Sequence, residues 1–416
     1  MMTSTAPAGP TGFDVAALRA HFPSLASGIA HFDGPGGTQT PRPVADAVTA
    51  TMTAPISNRG TGALSETNAD AAVGAFRLAY ADLLGVPAAG IVYGRSATQL
   101  TFDFSRILAQ DWGPGDEVVV TRLDHDANVR PWVLAAERAG AEVRWIDLDP
   151  ATAEFDPASV ADAVTDRTRL VAVTGASNLL GTRPDVRTIA DAAHAVGAQV
   201  FVDGVHHAAH QFVDVPALGA DFYVCSPYKF LGPHCGVLAA DPGLLETLRP
   251  DKLIPATDVV PERFELGTLP YEMLDGATAA VDFLADIAPG DDPANTSRRE
   301  RLRASLHAVD AHETRLRHRI EEGLADLGAD VVVHSRAADR TPTLLLTLPG
   351  RKTRDAYRFL LDHDVLAPAG SFYAYEPFRR LDLDDEHALR LGLAPYNDDS
   401  DVTRVLHGLA AFLAQV

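Results

Sequence analysis

From Gly115 to Ser226 the chain alternates short β-branched runs with helical patterns, and this alternation restricts the fold more than any other feature. GDEVVVT (115–121), AEVRWIDLD (141–149), TRLVAVTGAS (168–177), QVFVDG (199–204) and ADFYVCS (220–226) read as strands. ANVRPWVLAAERAG (127–140) and VRTIADAAHAVGA (186–198) carry helical apolar spacing, and the first stops at a glycine. Strand–helix–strand units at this spacing imply an α/β fold with a mostly parallel sheet covered on both faces. Ligands in such sheets bind outside the carboxyl ends of the strands. Asn178, Asp203 and Lys229 all follow predicted strands closely.

The pattern changes near Asp291. SRRERLRASLHAVDAHETRLRHRIEEGLADLG (297–328) predicts one or two long charged amphipathic helices. VVVH (331–334), TPTLLLTLP (341–349) and ALRLGLAPY (388–396) predict strands, and DVTRVLHGLAAFLAQV (401–416) a final helix. The expected organisation is a disordered leader over 1–12, a large domain over 13–290 and a small α+β domain over 291–416. The first twenty or so residues of the large domain are expected to pack on the small one. At 416 residues, 46% hydrophobic, the chain has ample material for such cores.

Charge and cysteine content exclude several classes of function. A net charge of −21 repels nucleic acid and anionic membrane. Two cysteines, Cys225 and Cys235, fit a reducing compartment better than a disulfide framework. The N-terminus MMTSTAPAGPTGFD has neither the basic nor the apolar region of a secretory signal. No apolar run reaches the roughly 18 residues a membrane span needs. The expected location is the cytoplasm.

One residue points to chemistry. The composition holds 35 lysine and arginine residues, and only Lys229, Lys252 and Lys352 are lysine. In FYVCSPYKFLGPHCG (222–236), Lys229 stands between an apolar strand and a glycine turn. Arginine supplies charge there equally well, but only lysine supplies a primary amine able to attack a carbonyl. Asp203 ends the neighbouring strand. An amine and a carboxylate at one sheet edge suit pyridoxal 5′-phosphate: the lysine holds the aldehyde as a Schiff base, and the carboxylate keeps the pyridine nitrogen protonated. GRSATQLTFDFSRIL (94–108) opens a helix with small polar residues, so free amides near Ala97 and Thr98 suit a phosphate, with Ser226 as a further donor. His125, in TRLDHDANVRPW (121–132), is placed to lie over a planar ring.

These motifs in this order resemble the class V aminotransferase group of fold-type I pyridoxal phosphate-dependent enzymes, in particular the SUF-type cysteine desulfurases and isopenicillin-epimerase-like relatives. The resemblance runs from FDGPGGTQTPRPV (32–44) to LRLGLAPYN (389–397). It implies that Lys229 binds the cofactor aldehyde, Asp203 pairs with the pyridine nitrogen and His125 stacks on the ring. It implies a phosphate site made by Thr98, the Ala97 amide and Ser226, with Asn178 near the phenolic oxygen and the substrate. Arg390 is implied to grip the substrate carboxylate. FELGTLP (264–270) resembles the segment that reaches a neighbouring subunit, which implies a homodimer with Thr268 completing the partner's phosphate site.

The chain departs from that pattern at His206, where glutamine is common, at Tyr228, where histidine is common, and at Ala97, where a threonine hydroxyl is usual. More consequentially, HDVLAPAGSFYAYEPFRR (363–380) lacks the loop cysteine that accepts sulfur in desulfurases. Chemistry that needs only the cofactor and a base survives that loss. The expected activity is a C–S (β-elimination) lyase, with amino-acid epimerase and aminotransferase as alternatives. The aromatics of SFYAYEP (371–377) suggest a substrate bulkier or more apolar than cysteine. Two readings of other classes compete: a zinc hydrolase built on His206 and His210 in VDGVHHAAH (202–210), and a catalytically inactive cofactor-binding scaffold.

Overall fold

The computed structural model describes residues 13–290 and 292–415; the expected leader over 1–12 lies outside them. A seven-stranded sheet forms its centre, in the order Ile91–Gly94, Gly236–Ala240, Phe222–Cys225, Gln199–Asp203, Thr168–Thr174, Glu117–Thr121 and Glu142–Ile146. Gly236–Ala240 is antiparallel to both its neighbours, and all other pairings in the sheet are parallel. Except at the edge strand Glu142–Ile146, its strands are buried on both faces, as their near-continuous apolar runs require. Alternate residues feed two separate cores. Val119, Val171, Val173, Val200 and Val202 join Phe76, Tyr80, Leu274 and Val281 from the helices Leu64–Leu84 and Tyr271–Ala285. Val118, Val120, Leu170, Ala172 and Phe201 face Leu100, Phe104 and Trp132 from the helices Ala97–Leu108 and Arg130–Ala139. The fully buried Trp132 meets Phe201 edge-on at 4.8 Å. Removing that indole would cost about 3–5 kcal/mol.

A four-stranded antiparallel sheet, Val332–Val333, Thr343–Thr347, Ala388–Gly392 and Ala369–Gly370, forms a second centre. Helices Arg298–Asp326, Thr353–Leu361 and Asp399–Leu413 cover it. Arg298–Asp326 is one unbroken helix because Ser297 and Glu300 form a capping box and nothing interrupts the buried row Leu302, Leu306, Val309, Leu316, Ile320 and Leu324. The N-terminal segment joins this second core. Ala30–His31 pairs in parallel with Val365–Leu366, and Ala30 and Phe32 are buried among its side chains. Arg19 bonds the Tyr396 carbonyl at 2.6 Å and Asp401 at 2.9 Å. Segment 33–37 then crosses the strand Ala388–Gly392. A Cβ at Gly392 would lie 2.1 Å from the Pro35 ring, so this crossing requires glycine.

Two differences from the sequence reading have local causes. AEVRWIDLD is not one strand: it ends at Ile146, and Leu148–Asp149 turns into a hairpin with Glu154–Phe155. Asp147 makes the break by accepting the Leu148 amide on its own side chain at 2.8 Å. The strands Ile91–Gly94 and Gly236–Ala240 escape pattern reading because they are short and carry a glycine at one end.

Candidate active site

The carboxyl ends of the parallel strands open into one cleft. Its narrow inner part is bordered by Ala97, Thr98, His125, Asp203, His206, Ser226 and Lys229. It widens into an outer part of about 570 Å³ bordered by Pro35, Gly36, Asn178, Phe372, Tyr373 and Arg390. Every predicted site residue except Thr268 lines one of these two parts. Thr268 is exposed and borders neither.

Lys229 ends a short 3₁₀ turn, Pro227–Lys229, directly after the strand Phe222–Cys225. The turn is anchored through Tyr228, whose carbonyl accepts the Thr38 amide at 2.9 Å and the Thr38 hydroxyl at 3.2 Å. Lys229 Nζ donates to the Pro35 carbonyl. Burial lowers the Lys229 pKa to about 7; Arg390 adds to the effect and Asp203 opposes it. Near neutral pH a large fraction of this amine is therefore unprotonated and nucleophilic.

Asp203 closes its strand, with one carboxylate oxygen accepting the Val205 amide at 2.9 Å. Burial raises its pKa to about 6, against the pull of that amide and of Lys229. A cation placed beside it would restore full ionisation. His125 follows the strand Glu117–Thr121 and caps a 3₁₀ turn: its Nδ1 accepts the Ala127 amide at 3.0 Å. Its proton therefore resides on Nε2. Burial, with Lys229 and Arg390 close by, lowers its pKa to about 4, so the ring is neutral. Asp124 locks the same turn by accepting from Thr121, from Asn128 at 2.7 Å and from the Thr174 amide at 3.1 Å.

At the start of helix Ala97–Leu108, the Ser96 hydroxyl caps Gln99 N at 3.1 Å. The cap satisfies only that donor, and the Ala97 and Thr98 amides have no partner among the described residues. They form a ready anion site. Gly236 backs it: a Cβ there would lie 2.6 Å from the Ala97 nitrogen.

At the far wall, Arg390 projects from the strand Ala388–Gly392, and Nη1 donates to the Asn178 carbonyl at 2.9 Å. Burial lowers its pKa to about 9, partly offset by Asp33, so it stays charged at neutral pH. Arg390 Nε, Asn178 Oδ1 and His206 Nδ1 are buried polar atoms without a partner. Native interiors rarely leave such atoms unpaired, and three around one cleft mark where a polar ligand belongs.

The histidine cluster is not arranged for zinc. His206 Nε2 bonds Thr341 at 2.9 Å and Thr343 at 3.0 Å, while His210 Nδ1 bonds Glu313 at 2.8 Å. Residues 207–209 form a 3₁₀ turn rather than the α-helix that would align ligands four apart. No group of three or more metal-binding side chains occurs among the described residues. The zinc reading lacks its ligand set, because no third metal-binding side chain joins His206 and His210 among the described residues.

Sequence reasoning missed Pro35, which lines the cleft, and several buried residues that hold its side chains in place. Pro35, which accepts from Lys229, lies in the GPGG run. Asp124 shares the DHD triplet with His125. Thr341 and Thr343 lie in a predicted strand, and their alternation is the signal that both hydroxyls face one way. Cys225 and Cys235 are free and buried. Burial pushes the Cys225 thiol well up and that of Cys235 to about 12, so neither is a nucleophile at neutral pH.

The profile of the family described as Aminotransferase class-V matches residues 30–405. An uncharacterized protein of Mycobacterium tuberculosis is 32% identical, covering 96% of this chain and 99% of its own. A Halobacterium salinarum protein named "Probable cysteine desulfurase" is 31% identical, covering 86% of this chain and 87% of its own. Among solved structures, the cysteine desulfurase CsdA from Escherichia coli superposes with a TM-score of 0.85 at 27% identity, covering 96% of this chain and 98% of its own.

Proposed function

Because the chain belongs to the class V aminotransferase family, whose enzymes use pyridoxal 5′-phosphate, we propose that it is a cysteine desulfurase-like lyase that releases a β-substituent from an amino acid. The observation that carries this reading is the Lys229 amine, its pKa lowered to about 7 by burial, in a cleft it shares with Asp203 and Arg390. The residues present fit the cofactor. Lys229 offers the amine for its aldehyde and Asp203 a carboxylate for its ring nitrogen. The free Ala97 and Thr98 amides, with the buried Ser226 hydroxyl, suit its phosphate. The unpartnered Nδ1 of His206 suits its phenolic oxygen, while the unpartnered Oδ1 of Asn178 is left to accept from a donor of the bound ligand. When bound, the cofactor supplies an aldehyde and an electron-withdrawing ring that stabilises charge developing at a substrate α-carbon.

The protein's own residues then have distinct tasks. Arg390 holds the substrate carboxylate through donors not used by Asn178, which fixes the α-carbon relative to Lys229. Lys229 Nζ takes the α-proton. His125 covers the ring as a neutral imidazole and does not compete for that proton. The Cβ–S bond breaks with both electrons leaving on sulfur. Neither cysteine of the chain borders the cleft, so sulfur departs as a free thiol or sulfide rather than as a persulfide on this chain. One water is consumed, supplying the keto oxygen, and the products are a 2-oxo acid, ammonia and the thiol.

Members of the family act on amino acids and commonly dimerise. The exposed Thr268 fits a role in the partner's phosphate site, and Leu253, Ile254 and Leu266, also exposed, supply apolar surface in the same region. We place the division between the large and small domains near residue 290. No helix among the described residues is long and apolar enough to cross a membrane, and both cysteines are free; we assign the protein to the cytoplasm. The test is to supply the loaded protein with cysteine and S-substituted cysteines and assay 2-oxo acid and thiol, with Lys229→Ala alongside. Equimolar products that vanish in the variant support the reading. No release from any substrate, or release unaffected by the variant, overturns it.

A further inference from the structure

The outer cleft has an aromatic wall built at a conformational cost. Phe372 and Tyr373 are consecutive, and both have a φ of 56°, a left-handed conformation that bulky side chains disfavour. The turn is held from outside. Asn178 Nδ2 donates to the Phe372 carbonyl at 3.0 Å, and the Asp126 amide donates to the Tyr373 carbonyl at 2.8 Å. Both anchors are themselves cleft residues. The result aims two rings at two functional side chains. The Phe372 ring lies 3.8 Å from the Arg390 guanidinium carbon, and the Tyr373 ring stacks on His125 at 5.7 Å and 28°. Phe102 borders the same space.

This geometry sorts the faces of Arg390. Phe372 covers one plane of the guanidinium, and Asn178 takes Nη1. Nε is buried and unpartnered, and the space beside Nη2 is kept open by Gly36, where a Cβ would come within 3.6 Å. The edge formed by Nε and Nη2 is thus the side left for a carboxylate. A substrate held there, with its amine toward Lys229, runs its side chain out between Phe372, Tyr373 and Phe102. Flat apolar groups gain most from such a wall, through burial and through edge or face contacts with the rings.

We propose that Phe372 determines specificity, and that the site takes amino acids whose β-sulfur carries an aromatic or similarly flat apolar group in preference to cysteine itself. This rests on the function proposed above. The test measures dissociation constants of L-phenylalanine and L-alanine, which lack a β-leaving group, for the cofactor-loaded protein by calorimetry. Wild type should bind L-phenylalanine about tenfold more tightly than L-alanine. Phe372→Ala should bring the two within about threefold of each other. Phe372→Leu, which keeps apolar bulk without the ring, decides the matter if the alanine variant does not fold, and should reduce the preference at least threefold. The cofactor absorbance band, read in the same samples, separates the two claims. Equal wild-type affinities, or a preference unchanged in both variants, overturns the specificity assignment while an intact band leaves the enzyme reading standing. A missing band overturns both.

Discussion

Gly236→Ala tests the phosphate cradle through backbone geometry alone. Gly236 opens the antiparallel strand behind the start of helix Ala97–Leu108. A methyl group there would lie 2.4 Å from the Ser96 carbonyl carbon, 2.6 Å from the Ala97 nitrogen and 2.7 Å from the Ser96 oxygen. Non-bonded heavy atoms settle at about 3.5–4.0 Å, so the helix start must retreat by about 1 Å. All three contacts are backbone atoms, and no rotamer change relieves them. The displaced amides are the ones assigned to the phosphate. Overpacking of this kind costs about 1–3 kcal/mol, which predicts a fall in cofactor affinity of about 10- to 100-fold. The assay is a titration of cofactor-free protein with pyridoxal 5′-phosphate, followed by absorbance. Gly113→Ala is the control, because no atom lies within 4 Å of its added methyl. A folded Gly236→Ala protein with affinity within twofold of wild type would refute the cradle.

Other perturbations test other parts of the site. Arg390→Ala removes the proposed carboxylate fork and should raise KM about 10- to 100-fold, at about 1.5–3 kcal/mol per charge-assisted bond, while cofactor affinity persists; steady-state kinetics beside a cofactor titration checks this. Burial lowers the Lys229 pKa to about 7 in the folded protein, against an ordinary value of 10.5. Between those two pH values the unfolded chain holds more protons, so the group's contribution to stability rises with pH across that window. Lys229→Met should therefore raise the Tm of cofactor-free protein at pH 7, with the gain shrinking toward pH 10; thermal melts at several pH values read it. Glu313→Ala breaks the buried pair with His210, bonded at 2.8 Å. It should cost about 1–3 kcal/mol, because it leaves a buried hydrogen-bonding group without its partner; denaturant unfolding measures it.

The centre of the sheet was legible because its inner parallel strands are buried on both faces, and such strands must be continuous apolar runs separated by helices. Lys229 was legible because all but three of the chain's 35 lysine and arginine residues are arginine. What escaped was set by tertiary contact. The strand Gly236–Ala240 looks like a turn, since its glycine answers to the backbone of Ser96 and Ala97 rather than to its own neighbours. Pro35 reaches Lys229 only because Gly392 lets the N-terminal segment cross a strand more than 350 residues later. The VDGVHHAAH run suggested a metal because histidine spacing in sequence carries no record of Thr341, Thr343 and Glu313, which hold those rings. Phe372 and Tyr373 were visible as aromatics, but their left-handed turn and its anchors at Asn178 and Asp126 were not.

The central claim is that Lys229 carries the cofactor. Its most direct test is borohydride reduction of the pyridoxal 5′-phosphate-loaded protein, followed by proteolysis and peptide mass analysis. The account predicts loss of the visible cofactor band and a phosphopyridoxyl adduct on the peptide containing Lys229, with no adduct at Lys252 or Lys352. An adduct at either of those lysines, or no adduct at all, would contradict it.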